Sequence, residues 1–423
     1  MARSTESLLP PVERAVLVFV NEHEEEDSIV EGELVGLCEA AHVEPVAQIR
    51  QRVDHPTKAT YVGKGKVTEI AALRAESGAD FVLIDGEVTG IQQRNLEEAL
   101  GCKVIDRTQL ILDIFARRAR TKEGMLQVEL AQLTTMLPKL MSVYTKFERQ
   151  RGGIGMRGPG ETKLESDRRL VRDRIARLKE DIEEVKRHRD QQRTGRRKQI
   201  FPFVSIVGYT SAGKSTLMNL LAGSEFLADA MPFATLDPTT RKVEFGDGYG
   251  MFLTDTVGFI RNLPTQLVAA FRSTLEEAVY SDLILHVVDL SVPTWEDQMD
   301  AVTETLELLG AGQHPTILVF NKVDACPDAA LVNQAVADFP DSVAISALTG
   351  RGIDDLLALI SKKFKSVLGE VDLHIPYGDS QALQLCYDFG KVKEIRYEED
   401  YIAVKAELVD EIRSRLATYT VAS

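Results

Sequence analysis

The residues best equipped for chemistry are Gly208, Tyr209, Thr210, Ser211, Ala212, Gly213, Lys214 and Ser215, which spell G-x-x-x-x-G-K-S. An apolar run, Phe203 to Val207, precedes them and a helical run, Thr216 to Leu221, follows, the context that a phosphate-binding loop requires. The glycines let backbone N–H groups curl around phosphates, and the helix N-terminus adds its positive end. Lys214 is placed to reach the β and γ phosphates, and Ser215 to ligate Mg²⁺.

Downstream, the strand-like run Met251 to Thr254 ends in Asp255, Thr256, Val257 and Gly258. This D-x-x-G supplies a carboxylate for the metal shell, acting through water, and a glycine N–H that can sense a γ-phosphate. Ile317 to Phe320 ends in Asn321, Lys322, Val323 and Asp324. The Asp324 carboxylate can accept from both guanine N1–H and its 2-amino group, a pair of donors that adenine lacks, so the pattern selects guanine nucleotides against ATP. The strand Ser342 to Ile345 leads into Ser346, Ala347 and Leu348, whose N–H groups can meet guanine O6. Between the first two motifs, Phe233, Ala234, Thr235, Leu236, Asp237, Pro238, Thr239, Thr240 and Arg241 read as a switch loop that closes on the metal and the γ-phosphate. One of its threonines would complete the Mg²⁺ shell, and residue chemistry leaves both Thr235 and Thr239 open. After Gly258, where a Ras-like GTPase carries the glutamine that orients the attacking water, stand Phe259 and Ile260. Neither can hydrogen-bond water, which points to slow unaided hydrolysis and a partner that completes the site.

The elements that must position these groups can be read along the 423 residues, of which 44% are hydrophobic, enough for two or three domains with cores. Ala15–Val20, Val46–Ile49, Phe81–Ile84 and Lys103–Ile105 read as strands, with helices at Val67–Glu76 and Thr108–Ala116, giving a small α/β domain over 1–118. Leu126, Leu130, Leu133, Leu137, Leu140, Tyr144 and Phe147 form a helix seam that Pro138 would kink. After the glycine-rich stretch 152–160, which should interrupt any helix, Leu164, Val171, Ile175, Leu178, Ile182 and Val185 form a second seam. Residues 119–198 are thus expected to be a helical hairpin with a Gly-rich tip, ending in a polar linker from Gln192 to Gln199. The P-loop domain would occupy 199–368. Strands at Asp372–Tyr377, Lys391–Arg396 and Tyr401–Ala406, with helices after Ser380 and Asp410, give a small α+β domain over 369–423. The expected class is α/β, a P-loop domain between these flanking parts.

A net charge of −15 argues against non-specific coating of nucleic acid, so any RNA contact must be local. From Lys163 to Lys198, 14 Lys or Arg stand against 8 Asp or Glu, and Arg149, Arg151, Arg157 and Lys163 cluster about the Gly-rich tip as candidate RNA contacts. Cys38, Cys102, Cys326 and Cys386 lie far apart, suggesting neither disulfides nor zinc. No apolar run reaches membrane-spanning length and no signal peptide opens the chain, so a cytosolic location is expected. Tyr61-Val-Gly-Lys-Gly-Lys66 lacks phosphate-loop spacing and reads as a tight strand-to-helix turn with exposed lysines.

The sequence resembles the HflX family of translational GTPases, the ribosome-splitting factors, over nearly its whole length. The resemblance rests on residues 208–215, 233–240 and 255–261, on Tyr61–Lys66 and on Gly152–Lys163, the last two not being general GTPase features. It implies that Gly208–Ser215 hold phosphates, that Ser215 and Thr235 ligate Mg²⁺, that Asp255–Gly258 watch the γ-phosphate, and that Asn321–Asp324 with Ser346–Leu348 hold guanine. Lys214, Thr235 and Gly258 would carry catalysis, with Phe259 in the glutamine's place. The related Obg-like GTPases favour Thr235 over Thr239 for the metal. Ser211 stands where many relatives have the Asn linked to bound K⁺, which argues against potassium stimulation. The implied partner is the large ribosomal subunit, with rRNA near the peptidyl-transferase centre, and the implied role is ribosome splitting or rescue under stress by a monomer. The alternatives are a GTP-gated regulator that binds a protein, and an ATP-dependent RNA or ribosome remodeller working through the N-terminal domain.

Overall fold

The computed structural model describes residues 12–21, 27–53, 55–150, 159–196, 202–223, 232, 233, 235, 236, 238–245, 249–261, 267, 277–365 and 368–421. The chain forms two compact units. One comprises Met1–Ile182, Asp229–Asp237 and Ile260–Arg272, and the other Glu183–Ala228, Pro238–Phe259 and Ser273–Ser423.

The first unit is built on a parallel sheet of order β2-β1-β3-β4, from β1 (Glu13–Asn21), β2 (Val43–Arg52), β3 (Phe81–Asp85) and β4 (Lys103–Asp106). Ala15 through Phe19 and Phe81 through Ile84 are all buried, as befits strands covered on both faces. Val16, Val18, Val82, Ile84 and Val104 pack with Val67 and Ile70 of α2 (Lys64–Ser77) and with Leu96 and Leu100 of α3 (Gly90–Leu100). Also in this unit are α1 (Asp27–Ala40) and α4 (Arg107–Arg118). The sequence reading found neither α1 nor α3. Gly32 and Gly36 weaken the helix signal of α1, whereas α3 announces itself through a capping box, Thr89 with Gln92, that could have been read.

Two long helices follow, α5 (Lys122–Gln150) and α6 (Pro159–Arg196). Arg174 fastens one to the other with two hydrogen bonds of 2.7 Å to Glu129. The helix α5 continues through Pro138, which lies inside it. Two expectations need correction. Pro159 and Gly160 lie inside α6 rather than interrupting it, because proline is well suited to a first helical turn, where its missing N–H costs nothing. The stretch from Gln192 to Arg196 is the end of α6, not linker, since glutamine and arginine are good helix formers. The expected leucine seam of α5 is only half-buried where described. The buried face is instead Gly124, Gln127, Val128 and Ala131, on a helix that meets α3 and α4. Residues 151–158 at the tip lie outside the described residues.

The second unit carries a six-stranded sheet of order β10-β9-β8-β5-β7-β6. The strands are β5 (Phe203–Gly208), β6 (Thr239–Phe245), β7 (Tyr249–Asp255), β8 (Leu283–Asp289), β9 (Thr316–Asn321) and β10 (Ser342–Ala344), all parallel except the antiparallel edge strand β6. The helices α7 (Lys214–Ala222), α8 (Trp295–Leu308), α9 (Ala329–Asp338) and α10 (Ile353–Lys365) complete this part. Thr239, Thr240 and Arg241, expected in the switch loop, belong to β6: Thr239 pairs with Asp255, and the Thr240 and Thr254 hydroxyls meet at 2.9 Å. Thr239, Thr240 and Val243 are β-branched and Phe245 is aromatic, residue types that favour a strand. The chain ends in an antiparallel sheet, β11-β13-β12, from β11 (Leu368–Pro376), β12 (Gly390–Tyr397) and β13 (Tyr401–Val409), with α11 (Ser380–Phe389) and α12 (Asp410–Arg415). Its inward residues Leu373, Ile375, Val404, Ala406 and Leu408 pack on Cys386 and Ile412.

Candidate functional site

Parallel strands deliver β5, β7, β8 and β9 with their carboxyl ends on one edge, where ligands of open α/β sheets bind. From the end of β5 the chain turns through Tyr209, Thr210, Ser211 and Ala212 into Gly213, which caps α7 with φ of 96°. A Cβ at Gly213 would lie 2.2 Å from Asn321 Nδ2, so only glycine fits there. The Lys214 ammonium is buried and donates to the carbonyls of Gly208 at 3.0 Å and Tyr209 at 2.8 Å. Burial pushes its pKa down to about 8, while the Asp255 charge acts in the opposite sense.

Ser215 donates its hydroxyl to Asp255 Oδ2 at 2.8 Å. The D-x-x-G segment is stitched to the phosphate loop: Thr210 N–H donates to Phe259 O at 2.7 Å and Phe259 N–H to Gly208 O at 3.1 Å. Thr256 donates to Ile206 O at 2.7 Å. Val257, Phe259 and Ile260 are buried. A Cβ on Gly258 would stand 3.1 Å from Lys214 Nζ, so this glycine backbone closely approaches the ammonium.

Asn321 holds two loops together, donating to Ala212 O at 2.8 Å and accepting from Ala347 N–H at 2.9 Å. Val323 N–H donates to Ile345 O. Ser346 is fully buried and accepts from Thr349 N–H, whereas Asp324 and Leu348 are exposed. The guanine-reading residues expected from sequence therefore share one edge of the sheet, with the Asp324 carboxylate open to solvent. Two groups not singled out from sequence belong here. Asp289, at the end of β8, pairs with Lys322 at 2.7 Å. His286, also on β8 and buried, is pushed down to about 4 by burial and by the Lys214 charge. The apolar run around them hid both.

Phe233, Thr235 and Leu236 are counted with the first unit, and Ala234 and Asp237 lie outside the described residues. There Phe233 is buried edge-on against Phe115 of α4, with ring centroids 4.6 Å apart. Arg261, three residues past Gly258, also belongs to that unit. Arg107 donates to Asp85 at 3.0 Å, to Glu33 at 2.6 Å and to the Arg261 carbonyl at 3.4 Å, and Arg261 Nε approaches Glu33 at 3.5 Å. Lys139 pairs with the buried Asp106 at 2.7 Å.

Among the RNA-contact candidates, Arg151 and Arg157 lie outside the described residues, as do the side chains of Arg149 and Lys163, whose backbones are helical. The Tyr61–Lys66 segment forms a tight turn: Thr57 and Tyr61 exchange backbone hydrogen bonds, Lys64 is exposed, and Lys66 is tied to Glu69 at 2.6 Å. Among the described residues no helix is long and apolar enough to cross a membrane.

Four family models match the sequence. They are described as GTP-binding GTPase N-terminal (residues 30–116), GTP-binding GTPase Middle Region (118–196), 50S ribosome-binding GTPase (203–322) and HflX C-terminal domain (330–417). The chain is 44% identical over 417 residues to the GTPase HflX of Caldanaerobacter subterraneus subsp. tengcongensis, covering 98% of this chain and 96% of that protein. To the GTPase HflX of Escherichia coli it is 41% identical over 402 residues, 94% of each. A crystal structure of SsGBP in complex with GDP is similar at 26% identity, with a TM-score of 0.48, covering 83% of this chain and 98% of that one. Identity of this order along nearly the whole of both chains, on a nucleotide-binding sheet of this kind, means that the chain belongs to the GTPase HflX family and hydrolyses GTP.

Proposed function

We propose that this GTPase works on ribosomes in the cytoplasm: its GTP-bound form engages the large ribosomal subunit and splits or rescues ribosomes under stress, and the subunit in turn accelerates hydrolysis. The observation that carries the reading is the match of residues 203–322 to the family described as 50S ribosome-binding GTPase. In this reading Gly208–Ser215 cradle the phosphates, Asp324 reads the guanine edge, Gly258 senses the γ-phosphate, and the monomer presents the basic α6 and the residues around 149–163 to rRNA. Phe259 and Ile260 are buried and carry no group that orients water, so a partner has that task left to do.

The residues present fit Mg²⁺. Ser215 Oγ and the Asp255 carboxylate are hard oxygen donors already 2.8 Å apart, and Mg²⁺ favours one or two protein oxygens completed by phosphates and water. When bound, the ion neutralises charge on the β and γ phosphates. Ser215 is the proposed direct ligand in this unit, with Asp255 acting through water.

The test is steady-state GTP hydrolysis with and without isolated large subunits, with Lys214→Ala as the blank, followed by a subunit-splitting assay. Strong stimulation together with GTP-dependent splitting is expected. A rate indifferent to the subunit removes the ribosome from the reading and favours a protein-binding regulator.

A further inference from the structure

We propose that Asp289 is a positioning residue for nucleotide binding, fixing the Lys322 side chain before the guanine base arrives. The inference rests on the guanine-site reading of Asn321–Asp324. Asp289 and Asn321 are register partners at the ends of β8 and β9, and Leu290 N–H donates to Asn321 O at 3.1 Å, so the two strand ends are joined by backbone alone. Lys322 then turns away with φ of 61°, a left-handed conformation unusual for a residue with a side chain. Its ammonium returns to Asp289 Oδ2 at 2.7 Å.

The carboxylate that receives it is itself held. Asp289 Oδ1 accepts from the Ser291 N–H at 3.0 Å and from the Ser291 hydroxyl at 2.6 Å, leaving Oδ2 for the lysine. The Asp289 side chain is 9% exposed, while that of Lys322 is 36% exposed. A pair this open on the lysine side adds little to fold stability, and the backbone already joins the strands. Fixing both ends of a four-carbon stem removes rotamer freedom that would otherwise be lost when the base docks. The stem stands two residues before Asp324, so its position sets where the base can lie while Asp324 reads its edge.

The test measures binding of fluorescent GDP and GTP analogues to the full chain carrying Asp289→Asn, Ser291→Ala, Lys322→Ala, or Asp289→Asn with Lys322→Ala. Asp289→Asn is expected to weaken both nucleotides alike, by about tenfold and mainly through faster dissociation. Ser291→Ala acts in the same direction by less, and it keeps the test open if Asp289→Asn does not fold. In the Lys322→Ala background, Asp289→Asn is expected to change affinity by less than about twofold, because a positioning residue has nothing left to position. The preference for GDP over IDP is expected to persist, because Asp324 still reads the 2-amino group.

An effect of Asp289→Asn that multiplies fully with Lys322→Ala, or a collapse of the GDP-to-IDP preference, overturns the proposal in favour of a general structural role. Unchanged affinity in both Asp289→Asn and Ser291→Ala overturns it directly. If Lys322→Ala itself leaves binding intact, the guanine-site reading fails first, and the two failures are thereby told apart.

Discussion

Replacing Arg107 with methionine keeps the apolar stem and removes the guanidinium that three groups share. Glu33 and Asp85, with side chains 11% and 9% exposed, would then keep their charges without that cation, and the Arg261 carbonyl would lose a donor. Removing one partner of a buried ion pair costs about 3–5 kcal/mol. Arg261 Nε, 3.5 Å from Glu33, remains to offset part of the loss, so about 3 kcal/mol is expected. Against a total stability of about 5–15 kcal/mol, that is a large fraction. With a urea dependence of about 3 kcal/mol per M, the midpoint of unfolding falls by about 1 M. The assay is urea unfolding of nucleotide-free protein, followed by far-ultraviolet circular dichroism and by fluorescence of the single tryptophan. Trp295 packs against Phe320 and Phe339 in the second unit and reports on that unit separately. A dichroism midpoint that drops while the fluorescence midpoint shifts less is the expected pattern. A loss under about 1 kcal/mol would refute the reasoning, because it would mean that the carboxylates are solvated well enough not to need Arg107.

Four further outcomes are expected. Because the Lys214 pKa is held near 8 instead of its ordinary 10.5, kcat/KM for GTP is expected to fall as pH rises through about 8, as measured in a pH–rate profile. The unfolded chain binds more protons at this group between about 8 and 10.5, so stability without nucleotide changes oppositely and rises with pH across that window, measurable by denaturant titration. Asp324→Asn is expected to weaken GTP binding by about a hundredfold or more, since the acceptor for two guanine donors becomes half donor, with competitive nucleotide binding as the readout. Gly213→Ala would set a methyl 2.2 Å from Asn321 Nδ2 and break the link to Ala212, so loss of measurable GDP binding by calorimetry is expected.

Much of the nucleotide site was legible because each of its motifs is a short run tied to one strand end. A strand followed by G-x-x-x-x-G-K-S and a helix is local in sequence, and parallel strands with covered faces bring their carboxyl ends to one edge. Residue chemistry singles out Lys214, Ser215, Asp255, Asn321 and Asp324, and the fold places them at or just after neighbouring strand ends of one sheet. The same locality made the C-terminal strands readable through their alternation of buried and exposed residues.

What only the tertiary structure decided lies between residues far apart in the chain. Arg107 and Glu33 are 74 positions apart, and Arg107 and Arg261 are 154 apart, so no periodicity or motif joins them. Asp289 is the last residue of an apolar strand and acquires meaning only because β8 and β9 lie in register beside each other. The leucines of α5 form a regular seam, yet the face most buried is the smaller one of Gly124, Gln127, Val128 and Ala131. Sequence by itself determined which chemical groups stand at which strand ends, because backbone preference and hydrophobic period act over a few residues. Which carboxylate holds which cation, and which helix face is buried, depends on packing between distant segments, and that was settled only when the chain was folded.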